Sequence, residues 1–327
     1  MTRYRAMVCG ALTGPDALDE TWMNAPQLQP GEVRIAIRAV GVNYPDLLMT
    51  RGQYQLRLEP PFVPGMELAG EIIETGQHVS GWLAGDRVSV MMRHGAYAEQ
   101  AVAPAAALIP LPAAFGFAEG ATFHVAAKTA YHALVDRGRL DRGETLLVLG
   151  ATGGVGLTAV ELGKMLGARV IAVGSDDDKL AVARPRGADA VVNYRKQNLR
   201  EAVETIAGSN GVDVIYDPVG GEMSRICTEL LAWNGRLLVV GFASGDIPSF
   251  PADHARLKGY SIVGLRAGEA GRRDPVQARR ARAALLQYAE AGRLRPHVCV
   301  QFPLHEASQA LKTLEERAVV GRVALIP

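Results

Sequence analysis

The pattern of apolar and polar positions divides the chain into two textures. Up to about residue 110, short alternating runs (VRIAIRAVGV, LAGEIIETG, DRVSVMM, YAEQAVA) are separated by QPGE, VPGM and LAGD. Alternation with period two puts one face of each strand on a core, so this part reads as a small barrel or sandwich. Helical spacing within it is confined to 44–51. From about residue 115 the period changes, and FAEGATFHVAAKTAYHALVDRG has Ala-rich helical spacing. TLLVLG, RVIAVG, DAVVN, VDVIYD, GRLLVVG and YSIVGL then alternate with helical segments such as TGGVGLTAVELGKMLG and LREAVETIAG. These apolar runs are continuous, as strands buried on both faces are, and the alternation predicts right-handed βαβ units in a parallel sheet. Pro185, in DDDKLAVARPRG, should end its helix early. After Leu265 an Arg-rich segment opens a helix at Asp274-Pro275, an N-cap and N1 pair. Val276, Ala283, Leu286 and Ala289 are expected to face a core, with the arginines in solvent. One more helix and a last strand, GRVALIP, close the chain.

One stretch breaks this regularity. GVNYPDLL, residues 41–48, follows a well-formed strand with Asn43-Tyr44-Pro45-Asp46, which are poor at extending it. That break marks either a loop or a site. Asp46 is expected to fix it by accepting backbone N–H groups.

The strongest chemical signal is TLLVLG-ATGGVG-LTAVELGKMLGA. Gly150, Gly153 and Gly156 punctuate a strand-to-helix turn, with Thr152, Gly154 and Val155 completing it. Absent side chains let a pyrophosphate approach the backbone, and the helix N-terminus offers free N–H groups and a positive dipole end. The spacing is G-x-x-G-x-x-G, one residue longer than the usual fingerprint, but it lies inside a βαβ array.

The next strand chooses the dinucleotide. An NAD site ends it with Asp or Glu for the ribose hydroxyls. Here it ends in Gly174-Ser175, and Asp176, Asp177 and Asp178 read as first-turn residues behind a Ser175 N-cap. Lys179 follows, and Tyr194 stands after the next strand. A hydroxyl, an ammonium and a phenol converging there suit a ribose 2′-phosphate, so NADPH is expected ahead of NADH.

Composition adds mainly exclusions. The chain has 327 residues, 48% hydrophobic and 21% charged, enough for two packed domains. Lys plus Arg number 35 against 34 Asp plus Glu, which leaves no electrostatic footprint for nucleic acid or an anionic membrane. Cys9, Cys227 and Cys299 lie far apart and form no C-x-x-C, so no disulfide framework is indicated. No apolar run approaches a membrane span, and the N-terminal segment lacks a signal-peptide core. A cytoplasmic setting is expected.

Taken in order, GVNYPDLL with RGQY, PFVPGMELAGEI, KTAYHAL, GATGGVG, GADAVVNY, IYDPVGG and GRVALIP resemble the medium-chain dehydrogenase/reductase superfamily. The similarity covers nearly the whole chain and is strongest to the zinc-free quinone oxidoreductase branch, which includes zeta-crystallin-like enzymes. It implies an α/β protein: a GroES-like β-rich domain at 1–122, a doubly wound Rossmann domain at 123–265, and a segment 266–327 that completes the first domain. The nicotinamide is then held in a cleft between the domains. The resemblance places Asn43 beside the nicotinamide ribose or substrate oxygen, and Tyr44 and Tyr54 at the substrate wall or as proton donors. Thr129 would face the carboxamide, Gly241, Phe242, Ala243 and Leu265 would hold the nicotinamide ribose and ring, and Arg322 would reach a cofactor phosphate. It also implies a homodimer paired along YSIVGL. Lys128 stands where relatives carry a small or polar residue, and no role is implied for it beyond that of an active-site charge.

In zinc-dependent relatives the positions of Asn43, Met66 and Val125 hold Cys, His and a third ligand. None of the three residues here is a strong zinc ligand, and the cluster of four cysteines of the structural zinc lobe is absent. Without a Lewis acid, alcohol oxidation is difficult, whereas a quinone or polarised C=C accepts hydride readily. The expected activity is therefore NADPH-dependent reduction of a quinone or enone. Enoyl-thioester reduction and a non-catalytic cofactor-binding protein are the competing readings.

Overall fold

A computed structural model of the chain describes residues 3–327. It divides into two compact units: one runs to Val125 and resumes at Arg295–Pro327, and the other is Ala126–Leu294. The second unit therefore ends at Leu294 and not at Leu265. The helix Pro275–Glu290 is the reason, because Ala281, Leu285 and Ala289 form its buried stripe and Tyr288 packs on the second unit's core. Val276 is 51% exposed and Ala283 is exposed, so the inward face differs from the expected one. Asp274 does cap this helix, accepting the N–H of Gln277 at 2.9 Å.

The first unit is β-rich. Its main sheet orders Val298–Pro303, Arg322–Ile326, Glu32–Val42, Glu67–Thr75, Arg87–Met91 and Leu108–Pro110, with Gln100–Pro104 also paired to Glu32–Val42. The C-terminal strand is thus laid antiparallel against the strand that leads into Asn43. That long strand alternates between buried and part-exposed residues through Ile37, then is buried at every residue from Ala39 to Val42. The change explains the abrupt stop: the strand enters the interior before it ends. Asn43 then caps the helix Tyr44–Thr50, with Pro45 in its first turn and the Asp46 carboxylate accepting the Asn43 N–H at 2.9 Å.

The second unit is a six-stranded parallel sheet in the order Ala190–Asn193, Arg169–Gly174, Thr145–Val148, Val212–Asp217, Leu231–Val239, Ser261–Gly264. This is the doubly wound Rossmann order, whose direction reverses between the third and fourth strands as written. Two apolar layers cover the sheet, one around Leu146, Val160, Val170 and Tyr216, the other around Leu147, Ile171, Ile215 and Leu237. Burial on both faces accounts for the continuous apolar runs. The helix after Ser175 ends at Ala181, four residues before Pro185.

Candidate cofactor and active site

The glycine turn lies at the reversal point of the parallel sheet. Gly150 follows the strand Thr145–Val148 at φ +56°, a left-handed conformation that glycine adopts without strain. Gly156 sits against that turn: a Cβ there would collide with the Gly150 carbonyl oxygen and stand 2.9 Å from Ala151 Cα. Gly153 is the N-cap of the helix Gly154–Met165 and supplies no side-chain cap. The first-turn N–H groups of this helix therefore have no intrahelical or capping partner. Thr152, Gly153, Gly154 and Val155 are all partly exposed. Such a cradle fits a pyrophosphate, with oriented N–H donors and no side chain in the way.

Gly174, Ser175, Tyr194, Gly241, Phe242, Ala243 and Leu265, also anticipated for the cofactor, follow or end strands along the same carboxyl edge of the sheet. Gly174 and Ser175 end one strand, and Tyr194 follows its neighbour, with the Tyr194 N–H donating to the Gly174 carbonyl at 3.1 Å. Gly241, Phe242 and Ala243 follow the strand Leu231–Val239 and run along the Asp217–Val219 turn, through N–H bonds from Gly241 to the Asp217 carbonyl (3.3 Å) and from Ala243 to that of Pro218 (3.0 Å). Phe242 is 37% exposed. Leu265 follows the edge strand and is partly buried against the core. Thr129, on the helix Phe117–Tyr131, is half-buried.

The acidic triplet takes a different form from the expected one. The N-cap is Asp176, not Ser175: its carboxylate accepts the Lys179 N–H at 3.0 Å. Asp177 is held by Asn193 Nδ2 at 2.7 Å and by Lys196 Nζ at 2.6 Å, and these bonds lower its pKa. Two of the three acids are thus committed to the protein itself. Asn193 and Lys196 were not anticipated, because only the pairing of adjacent strands brings them to Asp177.

In the first unit, GVNYPDLL leads into a buried polar cluster. Asn43 is 2% exposed, and both Nδ2 hydrogens are used, on the Gly41 carbonyl (3.2 Å) and on Glu67 Oε1 (3.1 Å). Arg322, 6% exposed, donates to Asn43 Oδ1 at 2.9 Å and forms an ion pair with Glu67 Oε1. Glu67 Oε2 accepts the Val125 N–H at 2.9 Å. A Cβ on Gly41 would stand 2.7 Å from Glu67 Oε1 and collide with the Ala121 carbonyl, so only glycine fits there. Asn43 and Arg322, which the resemblance places at the cofactor, engage Glu67 in this structure. Both are turned inward, toward Glu67. Tyr44 and Tyr54 remain partly exposed while packing on the apolar core.

The same cluster tests the donor set for a metal. Asn43 and Val125 both bond Glu67, and Met66 precedes it in the chain. An amide, a thioether and an aliphatic side chain do not make a zinc site, and a guanidinium already occupies that carboxylate. Among the described residues no three His, Cys, Asp or Glu gather in metal-binding geometry.

Asp46 lies beneath this cluster, fully buried. Its Oδ2 also accepts the Tyr97 hydroxyl at 3.2 Å, while Oδ1 has no partner. Burial pushes its pKa up to about 7, against the bond from the Asn43 N–H and with added repulsion from Glu67. Burial likewise raises Glu67, with Arg322 opposing.

A raised folded pKa has a definite sign. Between about pH 4 and pH 7 the unfolded chain loses the Asp46 proton while the folded chain keeps it. Stability therefore falls as pH rises through that window and is constant with respect to this group above it. Asp46→Asn keeps an acceptor for Asn43 and Tyr97 and removes the titration. The unfolding free energy of the wild type minus that of the variant should drop by up to about 4 kcal/mol from pH 4 to pH 8. Denaturant titrations at several pH values measure it, and a flat difference would contradict the assignment.

Comparison with known proteins agrees with both units. A family model described as alcohol dehydrogenase GroES-like domain matches residues 29–113, and one described as zinc-binding dehydrogenase matches 154–281. Quinone oxidoreductase-like protein 2 of Bos taurus is 37% identical over 323 residues, covering 98% of this chain and 92% of that protein. Quinone oxidoreductase of Sus scrofa is 30% identical over 316 residues, 96% and 94% of the two chains. The crystal structure of Escherichia coli quinone oxidoreductase complexed with NADPH superposes with a TM-score of 0.88 at 27% identity, covering 100% of both.

Proposed function

Because the chain belongs to the quinone oxidoreductase branch of the medium-chain dehydrogenase/reductase superfamily, we propose that it transfers hydride from NADPH to a quinone or a related α,β-unsaturated carbonyl without zinc. The observation that carries this reading is the open glycine cradle at the reversal point of the sheet. The cofactor, when bound, supplies the hydride. Gly153, Gly154 and Val155 hold the pyrophosphate through main-chain N–H groups, with Thr152 beside them. Ser175, Lys179 and Tyr194 take the 2′-phosphate. Thr129, Gly241, Phe242, Ala243 and Leu265 hold the nicotinamide end.

Asn43 and Arg322 act as positioning residues, because their polar atoms fix the helix that carries Tyr44. Tyr44 and Tyr54 form the substrate wall, and either phenol supports proton delivery to the oxygen that gains charge. Hydride arrival at the acceptor moves an electron pair onto its carbonyl oxygen, and one proton completes the hydroquinone or the enol. A delocalised anion of this kind needs hydrogen bonds but no Lewis acid, which suits the residues at Asn43, Met66 and Val125. Enoyl-thioester reduction uses the same chemistry, yet none of these residues singles out a thioester carrier.

Steady-state kinetics test the cofactor assignment. NADPH should support quinone reduction at a lower KM than NADH. Lys179→Ala should raise the NADPH KM about tenfold or more, the scale of one charge-assisted bond, with little effect on NADH. Equal loss with both cofactors would remove the 2′-phosphate role, and failure to reduce quinones or enals with either would remove the function.

A homodimer follows from the same family reading. Among the described residues the edge strand Ser261–Gly264 pairs on one side only, and Ile262 is exposed on it. An open edge of this type is satisfied by a second copy. Light-scattering mass should be twice that of the chain, and Ile262→Pro should halve it; a monomeric wild type would overturn the pairing.

A further inference from the structure

One half-buried ammonium on the second unit has no anion. Lys128 lies on the helix Phe117–Tyr131, one residue before Thr129, and is half-buried. Its Nζ is pressed toward Gly271, where a Cβ would stand 2.8 Å from Nζ and 3.3 Å from Cε. Among the described residues it has no hydrogen bond or ion pair. Burial lowers its pKa, and the cation Arg272 lowers it further. Arg272 donates to Glu269 at 2.7 Å, and Arg273 reaches the same carboxylate at 2.8 Å. One carboxylate thus serves two arginines, and the charged neighbour acting on Lys128 is the cation Arg272. Removing an ammonium from water without a counter-ion is costly, and the protein keeps that cost in the folded state. No packing role accounts for it, because an apolar side chain of similar length would fill the same space without the penalty. A ligand anion would recover it.

We propose that Lys128, with Arg272 beside it, recognises an anionic group on the acceptor, so that the enzyme prefers quinones or enones bearing a carboxylate or phosphate. This rests on the hydride-transfer reading above, in which Thr129 and Leu265 hold the nicotinamide end. Lys128 is next in the chain to Thr129, and the helix Ala267–Arg273 begins two residues after Leu265. The anion-recognising pair is therefore adjacent in the chain to the residues assigned to the reacting end of the cofactor. Gly271 leaves the space that Lys128 occupies, and a methyl group there would displace the ammonium.

The test compares a benzoquinone with a short carboxyalkyl tail, its phosphorylalkyl counterpart and its neutral methyl ester. Binding is measured by calorimetry on the NADP⁺-loaded protein, where no turnover occurs, and kcat/KM is measured separately with NADPH. The wild type should bind an acid at least about tenfold more tightly than the ester, the scale of one charge-assisted bond. Lys128→Met should abolish that preference, leave ester affinity unchanged and leave the melting temperature equal or higher, because an unpaired charge has gone. Gly271→Ala should weaken acid binding in the same direction. Whichever acid binds more tightly identifies the anion. Equal binding of acid and ester, no measurable binding of either acid, or equal loss for acid and ester in Lys128→Met would overturn the proposal. Absence of turnover with all three compounds would count against the hydride-transfer reading alone, since the binding comparison stands apart from it.

Discussion

The first unit depends on one buried charge. Glu67 has no contact with water, and a carboxylate so placed must be paired and fully hydrogen-bonded or it costs several kcal/mol. Its partners come from three distant parts of the chain, Asn43 at the end of a strand, Val125 on a helix and Arg322 on the last strand, with Gly41 leaving room beside Asn43. This requirement makes the C-terminal segment return, because without Arg322 the interior would hold an uncompensated charge. It also fixes where the helix carrying Tyr44 begins, since Asn43 is at once the partner of Glu67 and the cap of that helix.

The second unit solves the opposite problem. Its site is made mainly of backbone and is defined by missing side chains. Gly150 turns left-handed, Gly156 permits the helix to close on the turn, and Gly153 leaves the first-turn N–H groups uncapped. Two acids at this edge engage the protein itself: Asp176 caps its own helix and Asp177 pairs with Lys196. Of the acidic triplet, Asp177 is thus paired with a cation and Asp176 with a backbone N–H.

That contrast explains what the sequence made legible. The parallel array, the glycine turn and the residues at strand ends depend on local order and period, so they could be read from the chain, and the fold class and the carboxyl-edge residues follow from them. The cluster around Glu67 depends on partners up to 279 residues apart, Arg322 and Asn43, and nothing in either residue's own neighbourhood announces the pair. Their bonds to Glu67 therefore emerge only in the folded chain. The boundary at Leu294 was hidden for a similar reason. An Ala/Leu stripe at Ala281, Leu285 and Ala289 is as compatible with one core as with another, and only packing decides. The shift of the N-cap from Ser175 to Asp176 is smaller, because both side chains cap helices well and one residue of strand length chooses between them.

The two halves bear on reactivity together. Where a metal would need three strong ligands, this chain places an amide and a backbone N–H around a carboxylate already paired with a guanidinium. Such a cluster stiffens its surroundings but presents no cation to a substrate oxygen, so it offers an alkoxide little stabilisation. A quinone or enone makes a weaker demand, because its negative charge spreads over a conjugated system and can be met by phenols and main-chain donors. An acidic substituent on such an acceptor adds a second, localised charge, and that charge requires a cation. Among the described residues Lys128, one residue from Thr129 and one turn of helix beyond Val125, is a cation without a counter-ion. The buried pair can therefore remain purely structural, while recognition of charge falls to the helix that continues past Val125.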